Sequence, residues 1–143
     1  AERVQEARES GLARAFERDE FLKYRLEPGD ILASEGQSPA LVGQPALYRG
    51  VPHECAFQAT LHRFRSPRDL VVPAFAETVF RAWVRAGVFR RRCIITTNIG
   101  HLTLGRFKTV EFPLPPTAEQ RRIAGLLTSG QSSLQPRGLE MQA

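Results

Sequence analysis

The sequence predicts a single mixed α/β (α+β) domain, in which short twisted strands pack with one or two helices, followed by the start of a further helix. Two observations predict this class. Short apolar or alternating segments, bounded by Gly and Pro turns, are interspersed with single segments of helical spacing. The 143 residues, 42% of them hydrophobic, are enough for one domain with its own core.

The predicted strands are short and follow turn signals. Residues 27–30, Glu-Pro-Gly-Asp, form such a signal, and residues 34–45 predict a loop rich in Gly, Ser, Pro and Gln. In chain order, strands are predicted over residues 31–33, 46–49, 56–65, 93–98 (or an extended loop) and 107–114. Alternation in the third strand predicts a polar face that includes His62 and Phe64.

Two helices are predicted besides these strands, one before the first strand and one between the third and the fourth. Residues 2–22 place apolar side chains roughly on one side, although Gly11 also allows a helix–loop–helix. Helical spacing from Pro73 to Gly87 puts Trp83 in the core, and a further helical turn follows over residues 88–92.

The last helix is predicted to begin at Thr117 and to cover residues 117–128. Three prolines hold the preceding backbone extended, and Thr117 and Gln120 have the spacing of a capping box. Residues 129–143 are rich in Gln, Ser, Gly and Pro, and are predicted to be disordered.

The charge distribution favours a polyanionic partner. Residues 1–30 hold eight acids and six bases, a net of −2, whereas residues 31–143 hold seven acids and fourteen bases, a net of +7. Eighteen of the twenty basic residues are arginine, whose planar fork suits guanine edges and phosphates. Composition alone leaves a second explanation open, because arginine-rich chains are common in GC-rich genomes.

Several features predict a cytoplasmic protein. No stretch is long and apolar enough to span a bilayer, and the charged first residues do not resemble a secretory signal. Cys55 and Cys93 are too few for a disulfide framework, and His53, His62 and His101 match no zinc spacing. We expect no metal and no other cofactor.

Five segments carry a family resemblance. Residues 42–46 resemble the start of a family strand, and residues 96–102 resemble the loop before the family's last strands. Residues 24–32 are similar to a strand motif L-x-x-G-D-(I/L)-L, and residues 57–65 to Q-x-x-L-x-R-x-R. Residues 112–123 are close to the junction signature P-L-P-P-x-x-E-Q-x-x-I. From about Tyr24 to Leu127, the chain resembles a target-recognition domain of the specificity (S) subunit of type I restriction–modification systems.

The resemblance implies sequence-specific binding of double-stranded DNA without catalysis. Residues 23–116 would form the target-recognition domain, incomplete at its N-terminus, and residues 117–128 the start of a spacer helix. Methyltransferase (modification) and restriction subunits would be the partners that methylate adenine and cleave DNA. The alternative is a truncated fragment that acts mainly as a protein-interaction module through its C-terminal helix. A nuclease using His62 or His101 with a nearby acid is a third possibility.

Candidate base readers are polar residues on predicted loops, which a rigid scaffold can push into the major groove. They form two clusters in the sequence: Ser34, Gln37 and Ser38; and Thr96, Thr97, Asn98 and His101. The amides of Gln37 and Asn98 suit adenine, and Gly100 allows close backbone approach. The alternative is that these are ordinary turn residues.

Candidate phosphate contacts come from arginines, most of them in an acid-free run over residues 81–92. They are Arg49, Arg81, Arg85, Arg90, Arg91 and Arg92. A solvated face, or pairing with the acidic N-terminal segment, is the alternative. Ile123, Leu126 and Leu127 form an apolar stripe that is expected to pack against a partner helix.

Overall fold

The computed structural model describes residues 18–132, and within that range it confirms the mixed α/β class. The helices are α1 (Arg18–Tyr24), α2 (Pro73–Arg85), α3 (Val88–Arg92), α4 (Leu104–Phe107) and α5 (Thr117–Ser132). The strands are β1 (Ile31–Ser34), β2 (Gly36–Gln37), β3 (Pro45–Leu47), β4 (Leu61–Phe64), β5 (Ile94–Thr96) and β6 (Ile99–His101). None of these helices has the length and hydrophobicity that a bilayer span requires.

The strands form two antiparallel three-stranded sheets that share one run of chain. The first sheet has the order β3-β1-β4, and the second, called here the hairpin sheet, has the order β2-β6-β5. Glu35 lies between β1 and β2. Its N–H donates to the Thr60 carbonyl at 3.2 Å, and its own carbonyl accepts from the Leu102 N–H at 2.8 Å. The backbone of Glu35 therefore connects the two hydrogen-bond ladders.

The predicted turn before β1 is confirmed and holds a buried carboxylate. Asp30 donates its N–H to the Glu27 carbonyl at 2.9 Å, and Gly29 has a φ of 100°, which favours glycine. The Asp30 side chain accepts from the Glu27 N–H at 2.8 Å and from two nitrogens of Arg65 at 2.7 and 2.8 Å. These bonds tie the start of β1 to the end of β4.

The same contacts set the ionisation of Asp30. Burial by itself would raise the pKa of this carboxyl, because it disfavours the charged form. The hydrogen bonds from Arg65 and from the Glu27 N–H, together with the Arg65 charge, outweigh burial and hold the pKa below its ordinary value.

An aromatic core lies between α2 and the first sheet. Helix α2 starts at Pro73 as predicted and buries one face, on which Phe80 is 2% exposed. The Phe80 ring contacts Phe64 at 5.2 Å between centroids, edge to face, and stacks on Trp83 at 5.3 Å. The prediction that Trp83 belongs to the core is confirmed, although Trp83 itself is only partly buried.

Helix α5 is attached to the domain by Gln120. Its buried side chain accepts from the Val72 N–H at 2.8 Å and donates to the carbonyls of Leu70 at 2.9 Å and Pro115 at 2.7 Å. The predicted capping box is wrong, because the side-chain oxygen of Gln120 accepts from the Val72 N–H before α2 and does not bond to the backbone N–H of Thr117. The helix backbone continues to Ser132, four residues beyond the predicted end at residue 128.

Two strand predictions need correction. Only residues 61–64 of the predicted strand 56–65 are in a ladder, and the predicted polar face is the inner one. His62 is buried against Phe107 with a hydrogen bond to the Leu102 carbonyl, and Phe64 packs in the core. The predicted strand over residues 107–114 is wrong: Phe107 ends α4, and residues 111–116 run without strand partners. Prolines there lack the N–H that a ladder needs.

The remaining differences are local. The predicted loop over residues 34–45 contains β2, and residues 94–101 form a hairpin that the sequence did not predict. Of the predicted N-terminal helix, residues 18–22 are helical, and residues 2–17 lie outside the described residues. Of the segment predicted to be disordered, residues 133–143 also lie outside them.

Gly43→Ala is expected to lower the free energy of unfolding by about 3 kcal/mol. Gly43 has a φ of 79°, and a Cβ atom there would lie 2.3 Å from Cδ2 of the buried Phe89 ring. Urea denaturation measures the change. Gly105→Ala is the control, because no atom lies within 4 Å of its Cβ position. Equal stability of the two variants would contradict this account of Gly43.

Acid is expected to destabilise the fold through Asp30. A folded pKa below the unfolded value of about 3.9 means that the unfolded chain binds more protons. The contribution is therefore present above that value and is lost as the pH falls through the folded pKa. Asp30→Asn is expected to cost about 2 kcal/mol at pH 7 and to flatten the acid dependence. Denaturation at several pH values tests this, with the exposed Asp69→Asn as control; equal acid dependence of all three proteins would refute it.

Candidate nucleic-acid interface

The hairpin sheet brings the two predicted clusters of base readers together. Gly36 lies opposite His101, and Gln37 lies opposite Gly100, although about sixty residues of chain separate each pair. This arises because β1 continues through Glu35 into β2, which then pairs with β6. Sequence spacing alone gave no reason to join the clusters.

The tip of the hairpin is a two-residue turn formed by Thr97 and Asn98. Their φ values are 47° and 67°, the left-handed pair that matches the twist of a tight hairpin. Asn tolerates this conformation, whereas a β-branched residue such as Thr is strained in it. Both side chains are exposed, so the turn presents a hydroxyl and an amide to solvent.

The two faces of the hairpin sheet differ. One face carries Ile94, Thr96, Ile99 and His101, all exposed. On the other face Gly100 is buried, and a Cβ atom there would lie 2.9 Å from the Cys93 sulfur. Gly100 thus allows Cys93 to pack closely within the domain, and a close approach of its backbone to DNA stays a prediction.

The first cluster is only partly available to a ligand. The Ser34 hydroxyl accepts from the Gly43 N–H at 3.1 Å and donates to the Leu41 carbonyl at 3.4 Å. Ser38 is exposed and Gln37 half-buried at the sheet edge. The geometry gives Ser34 a part in closing the loop, and base reading by all three residues stays a prediction.

The candidate phosphate contacts fall into two groups. Arg81 donates to Glu77 at 2.8 Å, and Arg49 lies 3.9 Å from the same carboxylate. Arg91 donates to the Ala86 carbonyl at 2.8 Å. By contrast, Arg85 and Arg90 are exposed, and their guanidinium groups have no hydrogen-bond or ion-pair partner within residues 18–126, where side chains are described. Arg92 is half-buried.

Positive charge extends beyond the arginines that the sequence pattern singled out. Residues 78–110 contain six arginines and one lysine, and no Asp or Glu. Arg106, on α4, donates to the Arg92 carbonyl at 3.1 Å, which brings α4 beside the end of α3. Arg106 and Lys108 were missed, although the absence of acids as far as residue 110 was a signal. An acid, Glu35, directly precedes β2 of the hairpin sheet.

The remaining candidates are the histidines, the possible metal ligands and the apolar residues of α5. His62, one of the two histidines considered for a nuclease, is buried with its ring bonded to a carbonyl. Among the described residues, no cluster of His, Cys, Asp and Glu could hold a metal ion. On α5, Ile123 packs against the core and Leu126 is 60% exposed, while the Leu127 side chain lies outside the described part.

The chain is similar to a curated protein of an archaeon and matches no protein-family model. It is 27% identical over 118 residues to a protein of Methanocaldococcus jannaschii that is provisionally named as the type I restriction enzyme MjaX specificity subunit. The match covers 82% of this chain and 28% of that protein, so the chain spans under a third of its relative. This similarity supports the family that the sequence motifs indicated.

Thr97→Gly is expected to raise the free energy of unfolding by up to about 1 kcal/mol, because glycine adopts a φ of 47° without strain. Urea denaturation provides the measurement. Thr96→Gly, one residue earlier in extended backbone, is the control and is expected to destabilise by about 0.5–1 kcal/mol. A loss of stability in Thr97→Gly equal to that in Thr96→Gly would show that the turn is not strained.

Proposed function

We propose that this chain binds double-stranded DNA in a sequence-specific manner, as a target-recognition domain of a type I restriction–modification specificity subunit. Its role would be to choose the site, while methyltransferase and restriction subunits methylate adenine and cleave. The similarity to the Methanocaldococcus jannaschii protein supports the family. The interface described above supports the DNA-binding role.

One observation carries the proposal. Gln37 of the first cluster and the residues of the second cluster lie on one hairpin sheet, and the β5–β6 hairpin of that sheet belongs to the acid-free and cationic residues 78–110. A two-stranded ribbon such as the β5–β6 hairpin fits the major groove, where each base pair presents its own pattern of donors and acceptors. Cations beside such a ribbon suit phosphates, which fix position without specifying sequence.

In this proposal, some residues contact bases and others contact phosphates. Asn98, at the exposed tip, is placed to offer an amide to adenine, and His101 and Thr96 offer polar groups from the adjacent strands. Arg85 and Arg90 are placed to contact phosphates, because no side chain within the described residues occupies them. We place the recognition domain at residues 23–116 and the start of a spacer helix at residue 117.

A second candidate function uses α5. Leu126 is 60% exposed on this helix, and the backbone remains helical to Ser132. An exposed apolar residue on a helix that extends from a domain suits packing against a partner helix. The chain would then act mainly as a protein-interaction module. Stable complex formation with a methyltransferase subunit in the absence of DNA would favour this function.

Selection from a pool of random duplexes is expected to enrich a short half-site, with affinity that falls steeply between about 50 and 200 mM salt. Asn98→Gly removes the amide and keeps the left-handed turn, so it is expected to relax the preference at one base pair at a cost of about 1–3 kcal/mol. Sequencing of the selected pool at both salt concentrations measures both effects.

Arg85→Gln and Arg90→Gln are expected to weaken binding to all sequences alike and to reduce the salt slope by about one each. Arg121→Gln, an exposed arginine of α5, is the control and is expected to leave the slope unchanged. Uniform recovery of all sequences from the pool, or no binding, would refute the recognition role and leave the interaction module as the function to test.

A further inference from the structure

The open face of the hairpin sheet combines apolar and polar side chains in a regular way. Cross-strand partners share a face, so Ile94 stands beside His101, and Thr96 stands beside Ile99. Each of these two rungs therefore pairs one isoleucine with one polar residue. Both isoleucines are 45% exposed, which is a large apolar exposure for a short sheet beside the core.

This pattern matches the major-groove edge of an A·T base pair. Thymine shows a 5-methyl group there, next to its O4 acceptor and to the donor and acceptor of adenine. An isoleucine can cover the methyl group while the polar residue of the same rung meets the hydrogen-bonding groups. The two rungs lie about 7 Å apart along the strands, close to two base-pair steps.

We propose that this face reads thymine-containing base pairs, with Ile94 and Ile99 in contact with thymine 5-methyl groups. The inference rests on the proposed DNA-binding function and adds the kind of base pair that the domain selects. It places sequence reading in apolar contacts of the strands as well as in the polar turn.

The positive charge near the hairpin favours DNA, and not a second copy of the chain, as the ligand of this face. Helix α3, with Arg90, leads directly into β5, and α4, with Arg106, follows β6. An apolar strip on a hairpin that cationic helices precede and follow in the chain suits a groove whose walls are phosphates. A second copy of the same face would bring these cations together, which costs several kcal/mol in an interface and disfavours a dimer.

The test uses the 143-residue chain and a duplex carrying its selected site. Each thymine is replaced in turn by deoxyuridine, which keeps the hydrogen bonds and removes the methyl group. The wild-type chain is expected to bind three- to fivefold more weakly (about 0.8 kcal/mol) at one or more positions. Ile99→Ala or Ile94→Ala is expected to remove this difference at the position that each residue contacts.

Ile95→Ala is the matched control. Ile95 is 52% exposed on the same hairpin but lies on the opposite face, so this variant is expected to keep the full preference for thymine. Circular dichroism checks that each variant is folded, and Ile94→Ala, on the other rung of the same face, provides an independent variant if Ile99→Ala unfolds.

Four results would overturn the inference. Sequence-specific binding that tolerates deoxyuridine at every position, or an Ile95→Ala effect equal to that of Ile99→Ala, would do so while leaving the proposed function intact. A dimer in sedimentation without DNA that Ile99→Ala dissociates would assign the face to a second copy. Absence of any sequence preference would overturn the proposed function together with the inference.

Discussion

The paired hydrogen bonds between Asp30 and Arg65 fix the register on which both sheets depend. Ile31 lies opposite Phe64 in the ladder, so Asp30, one residue earlier, meets Arg65, one residue later. A carboxylate that is 1% exposed needs these bonds, because an unpaired buried charge costs several kcal/mol. A slip of β1 against β4 would break them. Since β1 runs through Glu35 into β2, the same register positions the hairpin sheet.

Three of the segments that carry the family resemblance contain residues that hold the fold together. Gly29 and Asp30 form the turn and its buried acceptor, Arg65 supplies the donors, and Gln120 joins α5 to the domain. These three segments therefore report the scaffold. The resembling segment over residues 96–102 includes the exposed turn of the hairpin, whose residues would set the DNA half-site.

Packing within the domain also fixes the positions of α5 and of the β5–β6 hairpin. Gln120 is fully buried and bonds to the chain on both sides of Val71, directly before α2. Helix α2 continues through Gly87 into α3 and then into β5, with Phe80 and Phe89 in contact within the core. The start of α5 and the hairpin are thus fixed to opposite ends of one packed helical unit, which gives a rigid base to a surface that must hold its geometry against a ligand.

The sequence by itself determined the class of the domain, the turn before β1, the core helix from Pro73 and the start of α5, because these follow from local spacing and turn chemistry. It also predicted the polar and basic clusters. Only the tertiary structure decided which of them meet: Glu35 carries β1 into the hairpin sheet, and that pairing joins residues about sixty positions apart. Likewise, only packing showed that His62 and Phe64 face inward and that Gln120 bonds to the chain before α2, since alternation and capping patterns do not say which neighbour will be present.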